Sequence, residues 1–166
     1  MATLFNATES SIVSTLDEFI SNCEEWDSNE YWTKEIKTRL LKIGSDNGFS
    51  VAASGVKGVD YGEWLYDVFW YSNRSKLVDI GLAAEIEWGI SFEEHIQPDF
   101  EKLLVARARQ RLMIFQAMNE NVAKHIFQDL IEIIDRFKLN QSGDRYLLIG
   151  YNREKKDFLP CLKVVK

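Results

Sequence analysis

LVDIGLAAEIEW, residues 77–88, alternates apolar side chains with small or acidic ones. Successive side chains of a strand point to opposite faces of a sheet, so this alternation predicts a strand with two chemically different faces. The predicted apolar face carries Val78, Ile80, Leu82, Ala84, Ile86 and Trp88. The other face carries Asp79, Gly81, Ala83, Glu85 and Glu87. The apolar face must be covered by a core, so the remaining chain is expected to pack around this strand.

Glu85 and Glu87 lie one strand repeat apart on the second face. If that face is partly buried, two ionised carboxylates persist there only with protonation, a basic partner or a bound cation. A divalent cation would neutralise them most completely. The alternative is that the strand ends near Ala84 and leaves both glutamates solvated, and strand spacing alone favours this second interpretation.

Length and composition indicate one domain over residues 1–166, because 46% apolar content is enough for a substantial single core. The net charge of -6 gives no general attraction to nucleic acid, so a polyanion would have to meet a local basic patch. The N-terminal MATLFNATESS lacks the pattern of a secretory signal, which predicts a cytoplasmic protein without a membrane span. Cys23 and Cys161 are expected to be free thiols, and His95 and His125 ordinary surface or packed residues.

Hydrophobic periodicity predicts an α/β order of elements with a central sheet flanked by helices. Helices are predicted at 11–21, at 28–43 with Gly44 as the stop, from Pro98 onwards, and at 121–138. Strands are predicted at 48–53, 63–71, 77–88, 111–118, 145–151 and 158–165. Lys34, Lys37 and Lys42 are assigned to the polar side of the second helix, and Glu35 to the border of its apolar stripe.

Asp67 interrupts the aromatic segment EWLYDVFWY, residues 63–71. A buried aspartate is usually paired, hydrogen-bonded or coordinated, so this residue needs a partner. The polar segment YSNRSK predicts a turn, which makes 63–71 and 77–88 an antiparallel hairpin. Asp67 and Glu85 are therefore expected to lie near each other across the pair.

This order of residues resembles the core of the PD-(D/E)XK nuclease superfamily, from the second helix to Met118. The resemblance rests on a helix with Glu35, a hairpin with Asp67, seventeen intervening residues, Glu85-Ile86-Glu87, and then a crossover helix and a strand. It implies the restriction-endonuclease-like fold, a three-layer sandwich with a mixed central sheet. It also implies that Asp67 and Glu85 bind Mg²⁺, or Mn²⁺, with Glu35 as an additional metal residue.

Two positions depart from the family pattern. Tyr66 precedes Asp67 where the family has Pro, and Glu87 occupies the place of the motif Lys. Some active members have Glu there, and in others a Lys comes from a neighbouring element; Lys102, in the segment DFEKLL with Asp99, is the closest candidate and Lys57 a weaker one. Glu87 itself could act as a general base or bind a second ion.

The segment ARARQR supplies a compact basic run, Arg107, Arg109 and Arg111, for phosphate contact. A solvated helix end that pairs with nearby acids is an equally good interpretation. The resulting hypotheses are a metal-dependent phosphodiester hydrolase (a nuclease) acting on DNA or RNA as a homodimer, and a catalytically inactive protein of the same fold that serves as a binding or regulatory module. A third is an α/β interaction protein whose acids are structural.

Overall fold

A computed structural model of the chain describes residues 4–23, 28–56, 59, 65–72 and 77–166. Helices in these ranges are Ala7–Ser21 (α1), Asn29–Asp46 (α2), Gln97–Leu104 (α3) and Glu120–Arg136 (α4), and a π-helical turn, Phe92–Ile96, runs into α3. Strands are Ser50–Ala52 (β1), Val68–Ser72 (β2), Asp79–Glu87 (β3), Gln110–Ala117 (β4), Arg145–Asn152 (β5) and Asp157–Val164 (β6). Lys57 and residues 73–76 of the predicted turn lie outside the described residues.

The six strands form one mixed sheet in the order β1-β2-β3-β4-β5-β6. The central strands β3, β4 and β5 are parallel, whereas the outer pairs are antiparallel. Residues of α1 and α2 pack against one side of the sheet, and residues of α3 and α4 form a second core on the other. The predicted α/β arrangement, a mixed sheet flanked by helices, is therefore confirmed. No helix in the described part of the chain is long and apolar enough to cross a bilayer.

Helix α2 starts where the sequence predicts and continues past its predicted stop. The Ser28 hydroxyl accepts a hydrogen bond from the backbone N–H of Tyr31, which caps the first turn. Gly44, the predicted stop, lies inside the helix, because α2 extends to Asp46. A Cβ atom on Gly44 would lie only 2.7 Å from Nε1 of Trp70, so glycine is needed here for close packing of α2 on the sheet.

A bulge in β3 divides the face that the alternation predicts to be continuous. Trp70 pairs with Leu82 and Tyr71 pairs with Ile80, which leaves Gly81 as an extra residue. Leu82 therefore packs under α1 and α2, whereas Ile80 packs in the opposite core. The prediction that these two residues share one face is wrong, because a bulge reverses the alternation beyond it.

Candidate functional site at the carboxyl end of β3

Asp67 and Glu85 meet at the carboxyl end of β3. Val68 pairs with Ala84 in the β2–β3 hairpin, so the two acids occupy the next positions of the antiparallel register. Their carboxyl groups are close enough to share a hydrogen bond, and the negative charge of Asp67 acts directly on Glu85. The proximity that the sequence predicts is thus observed.

Both oxygens of Asp67 have partners. Oδ2 accepts a hydrogen bond from the backbone N–H of Ile86 at 2.9 Å, which fixes the carboxylate against β3. Oδ1 lies 2.8 Å from Nζ of Lys37 on α2. The Lys37 side chain is only 6% exposed and also donates to the Ser54 hydroxyl at 3.1 Å. Asp67 is therefore fixed between the backbone of β3 and the buried Lys37 side chain.

Glu85 is in a less favourable environment. Its side chain is 4% exposed, and burial together with the nearby Asp67 charge raises its pKa to about 8. Lys102 opposes this rise, but its Nζ lies 3.7 Å from Oε1 of Glu85. Oε1 has no hydrogen-bond partner among the described residues. At neutral pH the Glu85 carboxyl is therefore mostly protonated and can donate its proton to Asp67.

Two lysines approach this acidic pair from opposite faces of the sheet. Lys37 comes from α2, whose apolar residues pack in one core, and Lys102 comes from α3, whose apolar residues pack in the other. Lys102 is 50% exposed and lies 2.7 Å from Oδ1 of Asp99, one turn earlier on α3. Two ammonium groups, two carboxylates and a protonated Glu85 make the cluster electrically neutral.

Two other predicted site residues have their contacts elsewhere. Glu35 forms an ion pair with Arg39 at 2.5 Å and lines a groove between α1 and α2. None of the contacts described for Glu35 involves Asp67 or Glu85. Glu87 is half-buried, and its Oε1 accepts a hydrogen bond from the backbone N–H of Gly89, where the chain leaves β3.

Two residues of the predicted basic run, Arg107 and Arg109, lie at the opposite end of β3 from the acidic pair, whereas Arg111 pairs with Ala83. Arg109 pairs with Asp79 at the start of β3, and the six residues from there to Glu85 span about 20 Å of strand. Arg107 is exposed at the same end. The expectation that Arg111 contacts phosphate has to be corrected. Its side chain is 3% exposed and its Nε donates a hydrogen bond to the Ala106 carbonyl, so it lacks the surface needed for such a contact.

Lys37 is the site residue that sequence reasoning missed. The periodicity of α2 assigns it to the polar side, although it directly follows the buried Ile36 and lies one turn before Leu41, which is also buried. A wider apolar stripe that includes Leu41 would have placed Lys37 at its edge. A lysine at the edge of a buried stripe needs an anionic partner, and Asp67 is that partner.

The site offers few protein oxygens to a divalent cation. The described residues contain no group of three or more His, Cys, Asp or Glu side chains arranged to hold a metal ion. Mg²⁺, however, usually keeps several waters and uses only one or two protein carboxylates, a number that Asp67 and Glu85 supply. The unpartnered Oε1 of Glu85 is a hard oxygen donor of the required type.

Comparison with known proteins adds no relative. No protein-family model matches the chain, and neither the curated proteins nor the solved structures with which it was compared give a match.

Proposed function

We propose that this chain is a metal-dependent phosphodiester hydrolase, a nuclease acting on DNA or RNA, in which Asp67 and Glu85 hold Mg²⁺ or Mn²⁺. The observation that carries this proposal is the contact between two carboxyl groups of adjoining strands, one of them buried with a free oxygen. Such a pair is strained by repulsion until a proton or a cation neutralises it. Its position outside the carboxyl end of a parallel strand is typical of ligand sites in α/β sheets.

The order of elements supports the resemblance to the PD-(D/E)XK superfamily. Helix α2 precedes the β2–β3 hairpin, and α3 then crosses over to β4, which is parallel to β3. Glu85 lies on the third strand, as in the family, whereas Asp67 directly precedes the second strand on which the family carries its Asp. The restriction-endonuclease-like three-layer sandwich is the fold we propose on this basis.

The two lysines would have different roles in hydrolysis. Bound Mg²⁺ would supply charge neutralisation at the phosphate and activate a water molecule. Lys37 has both of its partners inside the protein, so its role is to position Asp67. Lys102 is half-exposed and only loosely associated with Glu85, so its ammonium can contact a phosphate oxygen. Lys102 thus provides the ammonium group that the motif Lys supplies in the family, at the position that Glu87 occupies in this chain.

The distance between the arginines and the acidic pair limits how a nucleic acid could contact both. Arg107 and Arg109 lie about 20 Å of strand away from the acidic pair, at the other end of β3. They would contact phosphate only if the nucleic acid extends along the sheet. Arg111 is not part of this contact, because it is buried.

Cleavage assays on single- and double-stranded DNA and RNA test the proposal. We expect cleavage with Mg²⁺ or Mn²⁺ that EDTA abolishes, and a loss of at least about 100-fold in Asp67→Asn and Glu85→Gln, because each substitution removes a metal-binding charge. Asp46→Asn is the matched control, since Asp46 is an exposed acid that pairs with Lys42. Cleavage that survives EDTA, or that is unchanged in Glu85→Gln, would contradict the proposal.

A second candidate is a catalytically inactive protein of the same fold that acts as a binding or regulatory module. The observation that favours it is the neutral cluster: Asp67 already pairs with Lys37, and burial keeps Glu85 protonated. An inactive module needs no cation, so Mn²⁺ titration would give no calorimetric signal. A signal that is present in the wild type and absent in Glu85→Gln would exclude this candidate.

A further inference from the structure

Lys102 has two carboxyl neighbours at the site. Its Nζ lies 2.7 Å from Oδ1 of Asp99, which is a hydrogen-bond distance, and 3.7 Å from Oε1 of Glu85, which is too long for a hydrogen bond. The ammonium is therefore bonded to Asp99 and only lies near Glu85. This placement leaves Oε1 of Glu85 without a hydrogen-bond partner among the described residues.

Asp99 and Lys102 belong to one firmly packed helix. Lys102 follows Asp99 by three positions in α3, and residues three apart face each other on a helix. The helix is anchored to the sheet by Phe100, Leu103 and Leu104, which are buried in the core on that side. The lysine side chain itself is 50% exposed. The bond to Asp99, rather than packing, therefore decides where the ammonium lies.

The two carboxyl groups near Lys102 differ in their surroundings. The Asp99 side chain is 22% exposed, so water helps to stabilise its negative charge, whereas the Glu85 side chain is 4% exposed. Burial and the Asp67 charge raise the pKa of Glu85 most, and the Asp99 charge adds to them, so Asp99 lies within electrostatic range of Glu85. Without Asp99, the acid nearest to Lys102 among the described residues would be Glu85.

We infer that Asp99 is a positioning residue that holds the Lys102 ammonium away from Glu85, an inference that rests on the proposed hydrolase function. Glu85 then keeps one oxygen free for the cation, and Lys102 stays beside the site, where it can contact a phosphate oxygen. Asp99 itself contacts neither the cation nor the substrate. Without it, Lys102 would bond directly to Glu85 and compete with the cation for the same oxygen.

Mn²⁺ titration of a double-mutant cycle tests this role. We expect Asp99→Asn to weaken Mn²⁺ binding by about tenfold, because the ion must break a pair between Lys102 and Glu85 that the wild type lacks. In a Lys102→Met background, Asp99→Asn should change the affinity less than about twofold, since no ammonium is left to move. Glu101→Gln, which removes an acid bonded to Gln97 on the same helix, is the control expected to leave the affinity unchanged.

A crystal structure of Asp99→Asn tests the same placement without a metal. We expect Nζ of Lys102 to move to about 2.8 Å from a carboxyl oxygen of Glu85. An ammonium that keeps its wild-type distance from Glu85 would overturn the positioning role of Asp99.

The outcomes separate this inference from the function on which it rests. An equal loss of Mn²⁺ affinity in both backgrounds would overturn the positioning role, because Asp99 would then act on the ion directly. An unchanged affinity in Asp99→Asn would overturn it as well. A wild type that binds no Mn²⁺ and cleaves no nucleic acid would overturn the hydrolase proposal, whereas the crystallographic distance would still decide the placement of Lys102.

Discussion

Two buried glutamates, Glu9 and Glu85, have opposite surroundings. Glu9 receives two hydrogen bonds from the guanidinium of Arg145, both at 2.7 Å, and a third from the backbone N–H of Asn6 at 2.8 Å. Glu85 faces another acid, and its Oε1 has no hydrogen-bond partner among the described residues. Burial of a carboxyl group is common to both. Glu85 therefore differs from Glu9 in lacking a closely hydrogen-bonded counter-charge, which distinguishes the candidate site from a structural ion pair.

The largest effect on the free energy of unfolding is expected for Glu9, whose carboxylate is hydrogen-bonded to Arg145. Glu9→Gln leaves the Arg145 guanidinium without its anionic partner, and breaking such a pair costs about 3 kcal/mol of unfolding free energy. Chemical denaturation at pH 7 measures this loss. A cost below about 1 kcal/mol would show that Glu9 contributes no more than an exposed ion pair and would remove the contrast with Glu85.

Glu85→Gln should raise the free energy of unfolding, whereas Glu9→Gln should lower it. The folded chain holds the Glu85 proton up to a pKa of about 8, whereas the unfolded chain releases it near the ordinary value of 4.5. The unfolding free energy of the wild type therefore falls between these pH values, and Gln removes that fall. We expect Glu85→Gln to be more stable than the wild type by at least about 2 kcal/mol at pH 9 and equal to it at pH 4.

Denaturation curves across this pH range measure that difference. A difference between Glu85→Gln and the wild type that does not change with pH would mean that Glu85 is ionised throughout, contrary to the effect of its burial beside Asp67.

Lys37→Met should cost about 1.5 kcal/mol, because it leaves Asp67 without its ammonium and beside a second acid. Lys42→Met is the matched control on the same helix, where an exposed pair with Asp46 is worth less than about 0.5 kcal/mol. Thermal unfolding of both variants gives the comparison. Equal effects would show that the buried position of Lys37 adds nothing to its ion pair.

A further effect is expected in the pH dependence of metal binding. A cation must displace the Glu85 proton, so Mn²⁺ affinity should rise about tenfold per pH unit from pH 6 to pH 8 and then level off. Calorimetry in buffers of different ionisation enthalpy should show about one proton released per ion at pH 7. An affinity that is constant over this range would place the ion away from Glu85.

The sequence predicted the order of elements because each helix and strand has its own apolar period. It predicted the meeting of Asp67 and Glu85 because a hairpin register is local. The partners of these acids depend on how α2 is rotated against the sheet, which is fixed by distant contacts such as Trp88 Nε1 with the Thr33 hydroxyl at 2.7 Å. Lys37, which the sequence assigns to the polar side of α2, therefore contacts Asp67 at the site. Glu35, which the sequence assigns to the site, pairs with Arg39 instead.

Arg111 shows a second limit of local patterns. It lies on β4, where every residue is buried because helices cover both faces of the sheet. In the sequence, a run of alternating arginines indicates a solvated or phosphate-binding surface. Only the tertiary structure supplies the Asp144 carboxylate and the Tyr146 ring that accommodate its charge.

The ion pair between Glu9 and Arg145 joins residues 136 positions apart in the chain. During synthesis on the ribosome, α1 emerges long before β5, so the Glu9 carboxylate meets its guanidinium partner only after the residues between them have been made. The contact that neutralises Glu9 thus closes a loop of 136 residues, and contacts of such sequence separation slow folding because the loop must be closed before they form.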